Sequence, residues 1–320
     1  MHYGHIPPDS AMKEQLHKRQ ATIDQQGRGV ISDFYLIEYE QTLKSLKPKT
    51  VSQRINRIKQ QFIPKFDYLS VKTLTTVKLQ RWIDSYLKLD EPPAYKTLKS
   101  YLADSRQYVK WLMRKGYLVI NDPFDAAALP NPKTIPSVTR EQFLDSELAK
   151  IINNVTDEEL KDFILIAMFT GCRIEEIAKL MPQDVTLIGN RYVISIKQAK
   201  TKSGIREIPI HRSVHSIIAR RLQNTDYLFP NGSNNTSGNR SDKYSKQFGR
   251  LKTKLGFGEE NVFHSIRKSF ITKLEQAGIP ESVAADLAGH DKNTMTYGLY
   301  SSGSSFESKL NAIDRISYED

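Results

Sequence analysis

Residues 160–210 read LKDFILIAMFTGCRIEEIAKLMPQDVTLIGNRYVISIKQAKTKSGIREIPI, and this stretch decides the fold of the second half of the chain. Its first part has apolar residues at helical spacing up to Thr170, and a new apolar series starts at Ile174. Between them lies Gly171, a residue type that tolerates a left-handed backbone and often ends a helix. The pattern predicts two helices separated by an abrupt break at Thr170-Gly171.

The second part of the same stretch has the pattern of a small sheet. Two apolar segments, residues 185–188 and 192–196, flank the pair Gly189-Asn190, which is typical of a two-residue hairpin turn. A third apolar segment, residues 205–210, follows a turn at residues 200–204. We therefore expect three antiparallel strands inserted among helices.

Further along the chain, three stretches have apolar residues at helical spacing, and Gly289 ends the last of them. Residues 231–242 are rich in Asn, Ser and Gly and are predicted to be a loop. A short amphipathic tail would dock on a neighbouring protomer or pack on its own domain. The apolar residues are Tyr244, Phe248, Leu251 and Leu255; then Ile266, Phe270 and Leu274; then Ile279, Val283 and Leu287; and, in the tail, Phe306, Leu310 and Ile313.

The first half of the chain has only helical patterns. One run continues from Val51 to Phe62, with Thr50 as the expected N-cap and Pro64 as the expected end. A longer run lies at residues 98–112, before Gly116. Four prolines at 123, 130, 132 and 136 then predict a linker. We expect a lead over residues 1–29, an all-α domain over 30–122, a linker over 123–136, and a mostly helical domain with the small sheet over 137–320.

Positive charge is concentrated in the helical half. The chain of 320 residues carries a net charge of +11, and between Lys44 and Lys115 there are 17 basic and five acidic residues, which is +12. A basic region beside a near-neutral remainder is typical of a module that binds nucleic acid, although a merely solubilising surface has the same composition. The candidate contacts to DNA phosphates are Arg54, Arg57, Arg106, Lys110 and Arg114.

Composition excludes several classes of protein. The single cysteine, Cys172, cannot form an intramolecular disulfide, and the longest apolar run, residues 163–169, is far shorter than the roughly 20 residues of a membrane-spanning helix. The first ten residues also lack the apolar core of a signal peptide. We therefore expect a cytoplasmic, nucleoid-associated protein without a membrane partner.

Several side chains suggest chemistry at a phosphodiester. His264 and Arg267 share a helix face at i and i+3, and Arg173 starts a helix with Glu176 one turn on. Each pair alone is also typical of a solvated helix surface. With a lysine and a tyrosine, however, such a set could transesterify a phosphodiester without a metal. Guanidinium groups would hold the phosphate oxygens, lysine would protonate the leaving oxygen, and histidine would accept the proton of tyrosine.

The sequence resembles the tyrosine recombinase (phage integrase) family. The resemblance is carried, in order, by TGCRIEEI at 170–177, Lys200-Thr201 before REIP at 206–209, HSIR at 264–267, LAGH at 287–290, and Tyr300. It implies a helical, SAM-like core-binding domain and a catalytic domain that together clamp DNA. It also implies a free monomer, a homotetramer on two recombination sites of a mobile element, no cofactor, and host DNA-bending or excision factors as further partners.

The resemblance assigns a role to each of these residues. Arg173 and Arg267 would bind the scissile phosphate, with Glu176 as support, and His264 and His290 would assist proton transfer. Lys200 would be the general acid and Tyr300 would form the 3′-phosphotyrosyl bond. Two choices stay open, because the turn also carries Lys202 and because Tyr297 lies in the same segment as Tyr300.

Other functions fit parts of the same pattern. The main alternative is a catalytically inert, sequence-specific DNA-binding protein in which these residues only contact phosphates. A nuclease that binds a metal through His264, His290, Asp286 and Asp291 has no recognisable ligand spacing. A relaxing activity of topoisomerase type would share the chemistry and would lack strand exchange between two sites.

Overall fold

The computed structural model describes residues 33–66, 74–118, 120–132, 138–199, 201–233, 239–291 and 303–318, without the side chains of residues 33, 34 and 202. The predicted lead over residues 1–29 lies outside these ranges, as do parts of the predicted linker and of the 231–242 loop. The chain divides into two compact units, Met1–Ser137 and Val138–Asp320.

The first unit is helical, as predicted. Its long helix buries Leu98, Tyr108, Val109 and Leu112 on one face, because these residues recur at the helical period, and Gly116 follows its end with a positive φ of 74°. The helices are α1 (Asp33–Gln41), α2 (Pro48–Arg57), α3 (Ile63–Phe66), α4 (Thr76–Leu87) and α5 (Tyr95–Arg114), with a π-helical turn at Ile58–Phe62.

Two predicted boundaries in this unit are wrong. Helix α2 begins at Pro48 instead of after Thr50, because proline is well suited to the first helical position. Pro64 does not end the helical run. It has no N–H to donate, and the chain widens just before it into the π-helical turn, in which the Ile63 N–H reaches the carbonyl of Ile58. The helix then continues to Phe66.

The core of the first unit includes part of the segment predicted to be a linker. Phe124 is buried against the rings of this core, 6.2 Å from Phe62 between centroids, and Ala127 and Leu129 pack on the same cluster. Gln80 of α4 also exchanges two hydrogen bonds with the backbone of Ala128. Residues 124–129 therefore pack with the helices of this unit.

The second unit combines helices with the predicted three-stranded sheet. Strand β2 (Arg191–Ile196) is central and pairs antiparallel with β1 (Val185–Ile188) and β3 (Arg206–Pro209). The hairpin turns at Gly189, whose φ is 61°. The helices are α6 (Asp145–Asn154), α7 (Glu158–Thr170), α8 (Ile174–Ala178), α9 (His215–Arg221), α10 (Asp242–Lys254), α11 (Phe263–Gln276), α12 (Glu281–Ala288) and α13 (Phe306–Asp314).

The break between α7 and α8 lies where the sequence predicts it, and two independent constraints require glycine there. Gly171 has a φ of 60°, in the left-handed region. A Cβ atom at this position would also overlap the ring of Phe270 in α11. The tight turn therefore brings Arg173, at the start of α8, close to α11, which carries His264 and Arg267.

Two helices of this unit have no clear sequence signal. Helices α6 and α9 each bury only two apolar residues, Leu148 with Ile151 and Ile217 with Ile218, which is too few to show a helical period. Among the described helices, none is long and apolar enough to cross a membrane.

The C-terminal tail packs on its own unit. Ala312 and Ile313 of α13 are buried in the main core of the unit, and Asp314 is paired with Arg191 of β2. The hydroxyl group of Tyr318 donates to the carbonyl of Met168, 2.6 Å away. Of the two arrangements that the sequence allows, this structure shows the intramolecular one.

Candidate active site

Arg173 and Glu176 form one side of the site. Arg173 is the N-cap of α8, and its backbone N–H donates to the Glu176 carboxylate, 2.8 Å away, in a capping box. Nη1 of Arg173 donates to the other oxygen of Glu176 at 2.8 Å, and Nη2 donates to the carbonyl of Gly289 at 3.1 Å. The Arg173 side chain is nevertheless 38% exposed. It is thus oriented by the protein and still accessible to a ligand.

Arg267 forms the other side. Its Nη1 donates to the Gly171 carbonyl at 2.7 Å, and its Nη2 donates to the Ala288 carbonyl. Nε is buried and has no partner among the described residues. Burial, followed by the positive charge of Arg173, lowers the pKa of Arg267 to about 10, so the group stays protonated at neutral pH. Arg173 and Arg267 therefore hold adjacent carbonyls at the end of α12.

The two histidines of the site are partly buried beside these arginines, and part of each remains exposed. Burial of the imidazole, then the charges of Arg267 and Arg173, lower the pKa of His264 below its usual value. The same causes in the same order, with a contribution from His264, lower the pKa of His290. Both rings are therefore neutral at pH 7 and able to accept a proton.

We expect NMR titration to show both histidine midpoints below 6.5, the ordinary value. In Arg173→Gln both midpoints should rise, because a neighbouring positive charge that disfavours the imidazolium form has been removed. His211 is the internal control. Its pKa is lowered mainly by burial, with smaller effects that do not involve Arg173, so its midpoint should not move. If the midpoints of His264 and His290 do not change in Arg173→Gln, the charge of Arg173 does not act on these rings.

Sequence reasoning missed one residue at the centre of this site, Arg206. Arg206 is the first residue of β3, and its side chain is only 3% exposed. Its Nη2 donates to the Glu176 carboxylate, 2.9 Å away. A signal was available, because residues 206, 208 and 210 share one face of a strand and the other two are buried isoleucines. An arginine on an apolar face requires a buried carboxylate, and the structure supplies Glu176.

The surroundings of Glu176 favour its ionised form. Burial alone would raise its pKa, but the hydrogen bonds and charge of Arg206, together with those of Arg173, lower it below the ordinary value. A negative charge that is 9% exposed is thus shared by two guanidinium groups. This buried ionic cluster is stable only while the carboxylate and both guanidinium groups remain in place.

Lys200, Tyr297 and Tyr300 lie outside the described residues, and so does the side chain of Lys202. Just beyond the tyrosines, the backbone N–H and the hydroxyl of Ser304 both donate to Asp286 of α12, at 2.7 Å. Asp286 is one of the four residues considered as metal ligands. Within the described ranges, no three His, Cys, Asp or Glu side chains are grouped so that they could hold a metal ion.

In the first unit, four of the five candidate DNA-contacting residues form ion pairs with aspartates. Arg54 and Arg57 both donate to the buried Asp104, at 3.0 and 2.6 Å. Arg106 and Lys110 both contact Asp122, at 3.1 and 3.3 Å, and Arg106 also pairs with Asp125. Arg114 is exposed at the end of α5 and forms no ion pair with a described residue.

Comparison with known proteins identifies the second unit. Residues 141–304, slightly more than half of the chain, match the model of the phage integrase family. The chain is 25% identical over 273 residues to a XerC-like tyrosine recombinase of Caldanaerobacter subterraneus, covering 72% of this chain and 68% of that protein. It is 26% identical over 296 residues to the transposase of transposon Tn916 from Enterococcus faecalis, covering 80% and 71%.

Solved structures agree at the level of the fold. A lambda integrase dimer bound to a COC′ core site superposes with a TM-score of 0.65 at 19% identity, covering 85% of this chain and 79% of that one. A lambda integrase tetramer bound to a Holliday junction gives a TM-score of 0.64 at 17% identity, covering 92% and 84%. The fold class predicted from the sequence is therefore confirmed.

Proposed function

The chain belongs to the phage integrase family of tyrosine recombinases, and we propose that it cuts and rejoins DNA strands at specific sites through a 3′-phosphotyrosine intermediate. The observation that carries the proposal is the placement of Arg173 and Arg267. They approach adjacent carbonyls, those of Gly289 and Ala288, from two different helices. Each arginine has five N–H donors and uses two of them within the site, counting the described residues.

Two guanidinium groups so placed suit a phosphodiester. They can donate to both non-bridging oxygens and offset the negative charge that grows on the phosphorus centre in the transition state. Charge that a divalent ion provides in other phosphoryl-transfer enzymes is here provided by arginine. The phosphotyrosyl bond keeps the energy of the broken phosphodiester, so rejoining requires no ATP.

The other roles follow the family pattern along the sequence. We assign the nucleophile to Tyr300, with Tyr297 as the alternative, and the general acid to Lys200, with Lys202 as the alternative. His264 and His290 accept or relay the tyrosine proton, because both are neutral at pH 7. Since the similar proteins include a transposon transposase and lambda integrase tetramers on DNA, we propose that this chain acts within the nucleoid on two sites of a mobile element, as a tetramer.

A covalent trapping assay in excess EDTA tests the proposal. The substrates are short duplexes tiling the DNA on both sides of the coding sequence, each nicked just downstream of the candidate cleavage position. Cleavage then releases a short fragment, and the protein stays attached. A slowly migrating, protease-sensitive band on a denaturing gel is the expected result. Specific binding on a native gel without any such band would favour the inert DNA-binding protein, and a band that requires Mg²⁺ would favour a nuclease.

The first unit permits a prediction about DNA affinity. Arg114→Gln should reduce the slope of log K against log salt by about 0.9, the value of one phosphate contact. Arg106→Gln and Lys110→Gln should change the slope less, because Asp122 already neutralises part of their charge. Burial opposes ionisation of Asp122, but the Phe124 N–H, Arg106 and Lys110 lower its pKa, so it is charged at pH 7.

Asp122→Asn is the informative counterpart. It keeps an oxygen that can accept from the Phe124 N–H and removes the negative charge. Lys110 then loses its aspartate partner and Arg106 keeps only Asp125, so both are more available to phosphates and the salt dependence should steepen. A filter-binding titration at several KCl concentrations measures all four variants. Equal slopes throughout would mean that this face of α5 does not contact DNA.

A further inference from the structure

Arg206 is the most completely bonded side chain of the site. Its Nε donates to the Leu287 carbonyl at 2.7 Å, and Nη1 donates to the Gly204 carbonyl at 2.8 Å. Both Nη atoms reach Glu176, at 3.3 and 2.9 Å, and Nη2 lies 3.9 Å from the sulfur of Cys172. These five contacts account for all five N–H donors of a guanidinium group.

This bonding separates Arg206 from the other two arginines. Arg173 and Arg267 retain N–H groups without partners among the described residues, so they can bind a phosphate without breaking existing bonds. Arg206 has none to spare. Burial does not distinguish it, because as a whole residue Arg267 is 2% exposed and Arg206 7%. Binding a phosphate would cost it several buried hydrogen bonds. Arg206 therefore acts on the protein and not on the DNA.

The five contacts join three segments that each carry a proposed reactive group. Gly204 lies near the end of the turn between β2 and β3, residues 197–205, which carries Lys200 and Lys202. Glu176 orients Arg173. Leu287 lies three residues before His290 at the end of α12. We call residues 197–205 the lysine turn.

Two glycines show how closely these segments pack. A Cβ atom at Gly289 would lie 2.8 Å from Nη1 of Arg206, so only glycine leaves room for the guanidinium group beside the end of α12. A Cβ atom at Gly204 would overlap the side chain of Ala199 across the lysine turn. The Gly204 N–H also donates to the Thr201 carbonyl at 3.1 Å. The lysine turn is thus compact at Gly204, where Arg206 donates its hydrogen bond.

We propose that Arg206 is a positioning residue that holds the lysine turn in register with the Glu176–Arg173 pair, so that the general acid and the phosphate-binding arginine meet the same phosphodiester. This inference rests on the proposed function. When tyrosine attacks phosphorus, the bond to the 5′ oxygen breaks and that oxygen takes a proton from the lysine. An acid displaced from the leaving oxygen loses its contribution, which is typically 10²-fold to 10⁴-fold.

The test compares Arg206→Gln and Arg206→Lys with Arg191→Gln. Arg191 is the matched control, since it also starts a strand of the sheet, is 5% exposed and pairs with one carboxylate, Asp314. Melting temperatures and DNA binding are measured first. Trapping is then followed under single-turnover conditions at saturating DNA. Arg206→Gln should slow adduct formation about 100-fold and Arg206→Lys by less, while Arg191→Gln should slow it little at comparable loss of stability.

A second substrate separates positioning from general destabilisation. It has sulfur in place of the scissile 5′ oxygen, so the leaving group is a thiolate of pKa about 8.5 and departs without an acid. On this substrate the defect of Arg206→Gln should shrink to less than about 10-fold. The defect of Arg173→Lys should persist, because phosphate binding is still required. An Arg206→Gln defect that is equal on both substrates, or equal to that of Arg191→Gln, overturns the proposal.

Amide hydrogen exchange tests the positioning role of Arg206 without requiring adduct formation, so it can succeed or fail independently of the proposed function. In Arg206→Gln, amides of residues 201–205 and 289–291 should exchange faster, because the side chain that joins these segments is gone. In Arg191→Gln the faster exchange should fall at α13. If the wild type forms no adduct on either substrate, the proposed function fails, and this pattern alone decides whether Arg206 joins the three segments. Unchanged exchange in Arg206→Gln overturns the inference.

Discussion

Tyr300→Phe should form no covalent adduct with a nicked duplex while binding DNA as tightly as the wild type. The substitution removes one hydroxyl group from an otherwise identical ring, so any loss is a loss of the nucleophile. Tyrosine has an ordinary pKa near 10 and needs a base at neutral pH. In the proposed mechanism the neutral rings of His264 and His290, whose pKa values are lowered beside the two arginines, provide that base.

Tyr297→Phe is the matched control for this experiment. It removes the same atom from the same segment, and adduct formation should continue at the wild-type rate. An adduct that persists in Tyr300→Phe and disappears in Tyr297→Phe would transfer the role to Tyr297. Adducts in both single variants and in the double variant would exclude both tyrosines and with them the proposed intermediate.

Arg267→Gln should reduce the rate of adduct formation by at least about 10³-fold, in the range found when an arginine that stabilises a phosphoryl transition state is removed. The variant should also be less stable. Arg267 holds the carbonyls of Gly171 and Ala288 from two different turns, and the shorter amide of glutamine can reach only one of them. A buried carbonyl left without a partner costs about 1–3 kcal/mol.

Arg240→Gln controls for this structural effect. Arg240 is also buried and donates to the carbonyls of Ala178, Phe229 and Pro230. Its loss should lower the melting temperature and leave the rate of adduct formation nearly unchanged at a temperature well below melting. If both variants lose activity in proportion to their stability, the role of Arg267 is structural, and phosphate binding falls to Arg173 alone.

Local patterns in the sequence were sufficient for most of the fold. The helical face of α5, the glycine break at residue 171 and the hairpin at Gly189 each depend on residues close together in the chain. Such patterns fail where a helix is too short to show a period, as in α6 and α9, or where backbone geometry adapts, as around Pro64. The same limit explains why four of the candidate DNA contacts turned out to have aspartate partners.

The sequence by itself determined the fold class, the order of the motifs and the identity of Arg173, His264, Arg267 and His290 as candidates, because helical and strand periods and short spacings are local properties. Only the tertiary structure showed that Arg206 joins Glu176, 30 residues away, to Leu287, 81 residues away. It also showed that α13 packs on its own unit. The physical reason is that a pattern specifies which face of an element is apolar or charged, whereas the partner of that face depends on contacts between segments far apart in the chain.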